Sequence, residues 1–439
     1  MVVATQGTQT AAAAAEEEEP VATTTPTVKN ESTQHPPSTT TTSGASSADS
    51  PATTTMDDED APSDDEETNW GIPNWGTSQM RDIIGDFLRT FLDSNANRRE
   101  ETEEEEEVTT LPHAKKQAVD TECGSFELLD RYDCCVSEEE LESFQDAEGR
   151  FANADHLMQR VFEGGCRPEV RPNAYPFLLG YLPMDRTAAE RDALRRTKRE
   201  EYDEVLKLSV SSDQERRELS VQIDKDVIRT DASHAFFKGK MKNANVLKMR
   251  RILLAYAFYN YDLGYCQGMS DLLAPLLYTI QDEADCFWCF VGLMSRTERS
   301  FDRDQTGMHK QLLALRRLVQ LLDPQLHAHF GKQDCRNYLF CYRWLLLHFK
   351  REFDFTDCLR LWEALWTCRF CSHLLLYVCV AVLQQFRAEI IDNSMTFDDM
   401  VLFTNDLVKR IPLEESLRNA ELLSKFAGRK GKAILRLLL

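Results

Sequence analysis

The stretch Leu253–Ile280, LLAYAFYNYDLGYCQGMSDLLAPLLYTI, shows the apolar helical pattern that recurs along most of this chain. Its two ends, Leu253–Tyr259 and Leu272–Ile280, are apolar and fit core helices. Between them lies the polar segment Asn260–Asp271, in which Ser270–Asp271 are predicted to cap the second helix. The stretch therefore predicts two core helices joined by a short polar turn.

The turn carries one amide between two glycines. Gly264 and Gly268 bracket Tyr265-Cys266-Gln267, and glycines at such points let the backbone turn tightly. Taken alone, a glutamine here is most often an ordinary loop residue. The alternative is that the turn presents Gln267 for a function, and this stretch alone leaves both interpretations open.

Working outward, helical patterns follow one another from about Ser137 to about Phe426. Their connections are short and carry Gly, Pro, Asp or Asn. Clear examples are Ala188–Leu208, Ala244–Tyr259, Asp285–Ser295, Met308–Leu322, Leu339–Phe349, Thr356–Trp366, Leu374–Phe386, Asp398–Lys409 and Leu413–Phe426. No run alternates between apolar and polar residues at strand length with hairpin signals around it. The predicted fold class is all-α.

Charge divides the chain into two parts. Of 439 residues, 73 are acidic and 51 are basic, but residues 1–150 hold 35 of the acidic residues and only nine of the basic ones. The remainder is close to neutral and long enough to bury a large core. A strongly acidic arm argues against nucleic acid or an anionic lipid surface as its partner.

Composition predicts five regions. Residues 1–68 are rich in Thr, Ala, Ser, Pro and Glu, and they hold too little apolar surface to fold, so we expect a disordered arm. Residues 69–95 are expected to form an amphipathic helix flanked by tryptophans, and residues 96–136 an acidic linker. Residues 137–427 are the predicted globular domain, and residues 428–439 a basic tail. We expect this tail to fray, and the alternative is that it contacts a membrane or a partner.

The helix in the arm is a candidate docking element. Thr77–Ser78 fit a cap, and the segment 78–94 carries apolar residues at helical spacing, namely Met80, Ile83, Ile84, Phe87, Leu88, Phe91 and Leu92. Such a helix either binds a partner protein or packs back on its own domain, and the sequence leaves both interpretations open. Its acidic flanks favour a protein groove over an anionic membrane.

Thirteen cysteines and the absence of a secretory signal at the N-terminus indicate a reduced, cytosolic protein. The apolar run Leu374–Leu383 is about half the length of a bilayer span, so we expect no transmembrane segment. Two CxxC pairs, Cys286/Cys289 and Cys368/Cys371, lie in apolar segments that are predicted to be helical. We expect core cysteines rather than zinc ligands there. We expect neither a metal nor a cofactor of the protein's own.

A second polar constellation lies in Val221–Asp231, VQIDKDVIRTD. On a helix, Asp226 and Arg229 are neighbours that can pair, while Ile223 faces nearer the core. Taken alone, the pair is most often a surface ion pair worth a few tenths of a kcal/mol.

Both constellations together resemble one family. Ile223-x-x-Asp226-x-x-Arg229 and Tyr265-x-Gln267, followed by Gly268, are similar to the two fingerprint motifs of the TBC domain. Further segments that are similar to the family's sequence occur in the same order as in the family. They extend across residues 137–427, with a signature region of 161–370. They comprise Gly164–Pro183, Gly264–Leu277, Cys341–Phe353 and Leu359–Trp366. The resemblance is strongest to a subfamily with a divergent N-terminal region that acts on late endocytic and vacuolar Rabs.

The resemblance implies a V-shaped helical domain that activates GTP hydrolysis by a Rab-family small GTPase in its GTP form. It implies that Arg229 is an arginine finger and Gln267 a glutamine finger, both supplied in trans, with Asp226 holding Arg229 before a Rab binds. GTP and Mg²⁺ would belong to the partner. The protein would be cytoplasmic and recruited peripherally to endomembranes. The alternative is a catalytically weak Rab-binding adaptor that uses the same fold for docking.

One motif departs from the family. The usual Arg-x-x-x-Trp opening reads Arg171-Pro-Asn-Ala-Tyr175 here. Because tyrosine keeps a large aromatic body with a polar tip, we expect the packing to survive with slight loosening.

Overall fold

The computed structural model describes residues 135–209, 214–369 and 371–439. The predicted disordered arm 1–68, the helix in 69–95 and all but the end of the linker 96–136 lie outside the described residues.

The described residues contain sixteen α-helices, and their only β-type pairings are isolated bridges. The prediction of an all-α fold is therefore confirmed. In chain order the helices are α1 Glu138–Ser143, α2 Ala154–Gly164, α3 Arg171–Leu178, α4 Ala188–Ser209, α5 Gln214–Val227, α6 Ala244–Tyr259, α7 Met269–Ile280, α8 Glu283–Thr297, α9 Thr306–Leu322, α10 Pro324–Lys332, α11 Tyr342–Leu346, α12 Phe355–Trp366, α13 Leu374–Gln385, α14 Arg387–Asp392, α15 Phe397–Asp406 and α16 Leu413–Leu438.

Short polar side chains fix where several helices begin. Ser137 accepts the backbone N–H of Glu140 and starts α1. Asp282 and Asp354 do the same for α8 and α12. Thr396 and the third residue of α15 form a reciprocal capping box. Each cap satisfies a donor that the first helical turn leaves without an intrahelical partner.

The predicted helix Leu339–Phe349 is interrupted. A 3₁₀ turn at Leu339–Cys341 leads into α11, which ends at Leu346 because His348 and Phe349 take φ values of 48° and 58°. Left-handed residues cannot continue a right-handed helix. The break turns the chain so that Lys350 and Arg351 reach the site described below.

The basic tail was expected to fray, and that prediction is wrong. Helix α16 continues to Leu438 across a kink at Gly428, whose backbone is non-helical. It packs on α9 and α13, and Gly431 and Leu435 are buried. A Cβ at Gly431 would lie 2.6 Å from the Tyr377 hydroxyl, so the missing side chain permits this close packing.

The most apolar helix is α13, in which residues 374–383 are all buried. It is a core helix in contact with α9 and α16. Within the described ranges, no helix combines the length and apolar character that crossing a bilayer requires.

Candidate functional site

The first element of the site is the turn that follows α5. Helix α5 ends at Val227, so Arg229 lies just beyond the helix rather than on it. The backbone N–H groups of Arg229 and Thr230 both donate to the carbonyl of Asp226, at 3.1 and 2.9 Å. The buried side chain of Ile223 anchors the preceding helical turn in the core, as the sequence predicts. The arginine is thus held on a short turn at the end of an anchored helix.

Asp226 joins this turn to the glutamine turn. Arg229 Nη2 donates to Asp226 Oδ1 at 2.6 Å, and the Tyr265 hydroxyl donates to Asp226 Oδ2 at 2.6 Å. The Asp226 side chain is 5% exposed and that of Arg229 is 31% exposed. The pairing predicted from the spacing is present, but its carboxylate is buried, unlike that of an ordinary surface ion pair.

Burial raises the pKa of Asp226, and the hydrogen bond from Tyr265 and the charge of Arg229 only partly oppose that effect. Burial and the neighbouring Asp226 charge also raise the pKa of Tyr265, so its hydroxyl stays protonated and donates. The carboxylate therefore depends on its two donors more than a solvated carboxylate would.

A second bond links the two turns. Thr230 Oγ1 donates to Ser270 Oγ at 2.9 Å. Helix α7 begins at Met269, with Gly268 as an N-cap that offers no side chain, so the predicted capping by Ser270–Asp271 is wrong. Both residues lie inside the first turn and are buried. Their polar groups serve tertiary contacts instead of the helix end.

The glutamine turn requires its second glycine. Gly268 has a φ of +103°, and a Cβ there would lie 3.0 Å from Leu347. The Gln267 side chain is partly buried, and its Nε2 atom, shielded from solvent, has no hydrogen-bond partner among the described residues. Buried amide nitrogens are usually paired, so this unpaired donor is an exception to the rule.

Two cations after α11 support both turns. Lys350 Nζ contacts the two carboxylate oxygens of Asp231 at 2.5 and 2.6 Å and lies 3.8 Å from Asp271 Oδ1. Arg351 Nη2 donates to Asp271 Oδ2 at 2.8 Å. Burial by itself would raise the pKa of Asp271, but the charges of Arg351 and Lys350 outweigh it and lower the pKa. Asp231 follows the arginine turn and Asp271 follows the glutamine turn. The segment that carries Lys350 and Arg351 therefore stabilises both turns.

The opening motif forms a separate cluster. Arg171 Nε and the Tyr175 hydroxyl both donate to Glu363 Oε1 at 2.7 Å, and the Cys166 N–H donates to Oε2 at 3.0 Å. The Tyr175 ring is fully buried and meets Trp366 edge to face at 4.9 Å. Burial and the Glu363 charge raise the pKa of Tyr175. The tyrosine hydroxyl thus has a buried carboxylate partner, and the slight loosening expected from the sequence stays a prediction.

The structure thus brings together Asp226, Arg229, Tyr265 and the turn that carries Gln267. Four charged residues that hold the two clusters were not predicted from the sequence motifs, namely Asp231, Lys350, Arg351 and Glu363. The sequence did contain a sign of the last three, because each is a charged residue in a largely apolar segment, HFKREF or LRLWEALW. A cleft of about 490 Å³ is lined both by Arg171 and by Asp231, Asp271 and Lys350.

The cysteines behave differently in the two CxxC pairs. Cys286 and Cys289 are buried, as predicted for core residues, but Cys368 is exposed and Cys371 is only partly buried, so the core prediction is wrong for the second pair. Across the described ranges, no group of three or more His, Cys, Asp or Glu side chains is placed to hold a metal ion.

Comparison with known proteins gives one family. The family model of the Rab-GTPase-TBC domain matches residues 168–391. Human TBC1 domain family member 17 is 41% identical over 298 residues, which cover 66% of this chain and 46% of the relative. GTPase-activating protein GYP7 of Yarrowia lipolytica is 40% identical over 316 residues, covering 66% of this chain and 43% of the relative.

The matches therefore span less than half of the length of these curated relatives. Among solved structures, the crystal structure of the Ypt/Rab-GAP domain of Gyp1p superposes with a TM-score of 0.56. It is 23% identical and covers 66% of this chain and 95% of that domain. At this identity the likeness concerns the fold.

Proposed function

The chain belongs to the Rab-GTPase-TBC domain family, and we propose that it accelerates GTP hydrolysis by a Rab-family small GTPase. In this proposal Arg229 and Gln267 enter the partner's active site in trans. The observation that carries the proposal is the single buried carboxylate of Asp226, which bonds the arginine turn and the glutamine turn together.

Arg229 suits the stabilisation of phosphate charge. Negative charge builds on the β–γ bridging and γ oxygens during hydrolysis, and a guanidinium is always protonated and offers several donors. Its partial exposure and its place on a turn beyond a helix end support a side chain that can extend toward a partner. An arginine finger is worth about 10³–10⁵ in rate, or roughly 4–7 kcal/mol of barrier.

Gln267 suits the positioning of water. An amide offers both a donor and an acceptor, so it can orient a nucleophilic water or a backbone group of the partner. Its Nε2 is a donor that no described group uses, and the left-handed Gly268 behind it constrains the turn that carries the side chain. In the family this glutamine takes the role that the GTPase's own glutamine usually fills.

Asp226 sets the resting position of Arg229. When Arg229 moves to a phosphate, Asp226 keeps the Tyr265 hydroxyl and loses one charged donor. Phosphate oxygens carry more charge than one carboxylate, so the exchange is favourable when the phosphates of a bound partner are in place. This arrangement couples release of the finger to binding of a nucleotide-loaded partner.

The test is single-turnover GTP hydrolysis by a panel of Rabs, with those of late endocytic and vacuolar membranes first. Stimulation of one or a few Rabs by the wild-type chain, lost in Arg229→Ala, supports the proposal. Arg186→Ala is the matched control, because it removes an exposed arginine that pairs with Glu190 at 3.4 Å. Binding of a GTP-loaded Rab without stimulation of any member would favour the adaptor instead.

The remaining features of the proposal follow from its chemistry. GTP and Mg²⁺ are held by the Rab, and this chain adds side chains to a site that already exists. Because Rabs act on membranes, we propose a cytoplasmic protein that reaches endomembranes peripherally through its partner. Loss of membrane recruitment on depletion of the substrate Rab, scored by cell fractionation, is the expected result.

A further inference from the structure

Helix α16 has a face that the rest of the described structure leaves uncovered. Its inner side packs on α9 and α13. Its outer side exposes Leu422, Phe426 and Leu437 by 56%, 81% and 84%. Phe426 and Leu437 are the most exposed large apolar side chains among the described residues. Large apolar side chains exposed together commonly mark an interaction surface.

The same face is strongly basic. Its exposed cations are Arg418, Lys425, Arg429, Lys430, Lys432 and Arg436. Lys425 pairs with Glu421, whereas Arg429, Lys430, Lys432 and Arg436 have no carboxylate within 4.0 Å in the described parts of the chain. We call the exposed apolar and cationic residues of α16 the basic face. A partner that fits it is both acidic and apolar.

We propose that the basic face docks the acidic segment of this same chain, residues 78–107. That segment has ten acidic and four basic residues. Its predicted helix adds an apolar stripe that includes Phe87 and Phe91. The segment thus offers negative charge and an apolar stripe, the two properties that complement the cations and the apolar side chains of the basic face. The inference is independent of any activity toward a GTPase.

Charge favours this occupant over an anionic membrane. The whole chain carries a net charge of −22, and residues 1–150, with 35 acidic and nine basic residues, are the source of that excess, so a like-charged surface repels the chain. Docking within one chain also gains from a high effective concentration. Residues 108–134 span up to ~90 Å when extended, about twice the ~39 Å length of a 26-residue helix such as α16.

The experiment is hydrogen exchange of amides 80–92 in the full chain. A lone helix of this length is marginal in water, so strong protection there requires docking. Phe426→Ser should raise the exchange rate of these amides about tenfold or more, the order expected for losing one buried aromatic ring. Leu402→Ser is the matched control, since Leu402 is 58% exposed on α15 beside acidic residues, and it should change nothing.

Charge supplies the second arm of the test. Arg429→Glu with Lys430→Glu should raise exchange in the same amides, and adding Glu104→Lys with Glu105→Lys should restore protection. Equal exchange in wild type and Phe426→Ser would overturn the proposal. So would protection that rises with protein concentration, which indicates a second copy. Binding to vesicles of phosphatidylserine and phosphatidylcholine without protection of 80–92 would also overturn it.

Discussion

Two clusters in this molecule use the same three chemical groups. In each, one carboxylate accepts from one guanidinium and one tyrosine hydroxyl. Asp226 accepts from Arg229 and Tyr265, both at 2.6 Å. Glu363 accepts from Arg171 and Tyr175, both at 2.7 Å. Their surroundings differ, because the Arg171 and Glu363 side chains are 10% and 0% exposed and those of Arg229 and Asp226 are 31% and 5% exposed.

The difference separates an arginine that is fixed in the core from one that is partly exposed at the end of a helix. Glu363 also accepts a backbone N–H, and Arg171 begins the buried α3, so neither can leave without exposing unpaired charge. Arg229 stands on a turn past a helix end, and its partner keeps a second donor when it leaves. Residue type and hydrogen-bond length alone would not distinguish the two clusters.

The largest expected effect is on catalysis at the exposed arginine. Arg229→Ala should lower Rab GTP hydrolysis by about 10³–10⁵-fold, because it removes charge from the transition state. Its circular dichroism and its binding to the GTP-bound Rab should remain near normal. If the stimulated rate survives, the two arginines do not differ in the way proposed.

Arg171→Met should have the next largest effect, and on stability. Breaking a buried pair leaves an uncompensated carboxylate, so we expect a loss of about 3–5 kcal/mol in the free energy of unfolding by urea. The double variant with Glu363→Gln should recover much of that loss. An unchanged urea midpoint in the single variant would contradict a structural role for this cluster.

Gln267→Ala should lower the stimulated rate by about 10²–10³-fold, the size seen when one positioned hydrogen-bonding group is removed from a transition state. Gln320→Ala, an exposed amide on α9, is the control. A silent Gln267 variant would mean that the GTPase's own glutamine still positions the water.

Much of the fold was readable from the sequence. The predicted bounds of α6 agree with the structure, and those of α12 and α13 differ by one residue, because apolar spacing and polar caps are local signals. The break after α11 was missed, since nothing local requires His348 and Phe349 to take positive φ. The extension of α16 was missed because its support comes from Tyr377, on another helix.

The site was readable in part. The Asp226–Arg229 pair follows from spacing along one turn, but the bond from Tyr265 joins segments 39 residues apart. The bracing by Lys350 and Arg351 depends on the chain reversal that helical periodicity did not reveal. Tyr175 was expected to loosen the packing, and its gain of Glu363 as a partner spans 188 residues. Contacts of this kind require the tertiary fold.

The two tyrosines allow a finer comparison. Tyr265→Phe removes one donor from Asp226. We expect about a tenfold lower stimulated rate, because the Asp226 carboxylate then has Arg229 as its remaining side-chain donor and holds it more tightly. Tyr175→Phe should instead cost about 1–3 kcal/mol of unfolding free energy with little change in rate. Paired measurements of rate and urea midpoint test this, and equal losses of rate in both variants would count against separate roles.

The smallest expected effect is on the pH dependence of stability. Burial raises the pKa of Asp226, so the folded state binds this proton more tightly than the unfolded state does. Its contribution to stability is present below the unfolded pKa of about 3.9 and is lost as pH rises through the folded value. Asp226→Asn should therefore gain stability relative to wild type as pH rises above about 4.

Asp271 is the internal control for that sign. Its pKa is lowered because the charges of Arg351 and Lys350 outweigh its burial, so its contribution is present above about 3.9 and is lost as pH falls through the folded value. Asp271→Asn should lose stability relative to wild type over the same rise in pH. Urea titrations of both variants between pH 3 and 7 give the two slopes. If stability changed with pH in the same direction in both variants, the donors around Asp226 would offset its burial as fully as Arg351 and Lys350 do for Asp271. Arg229 would then be no easier to release than a structural arginine.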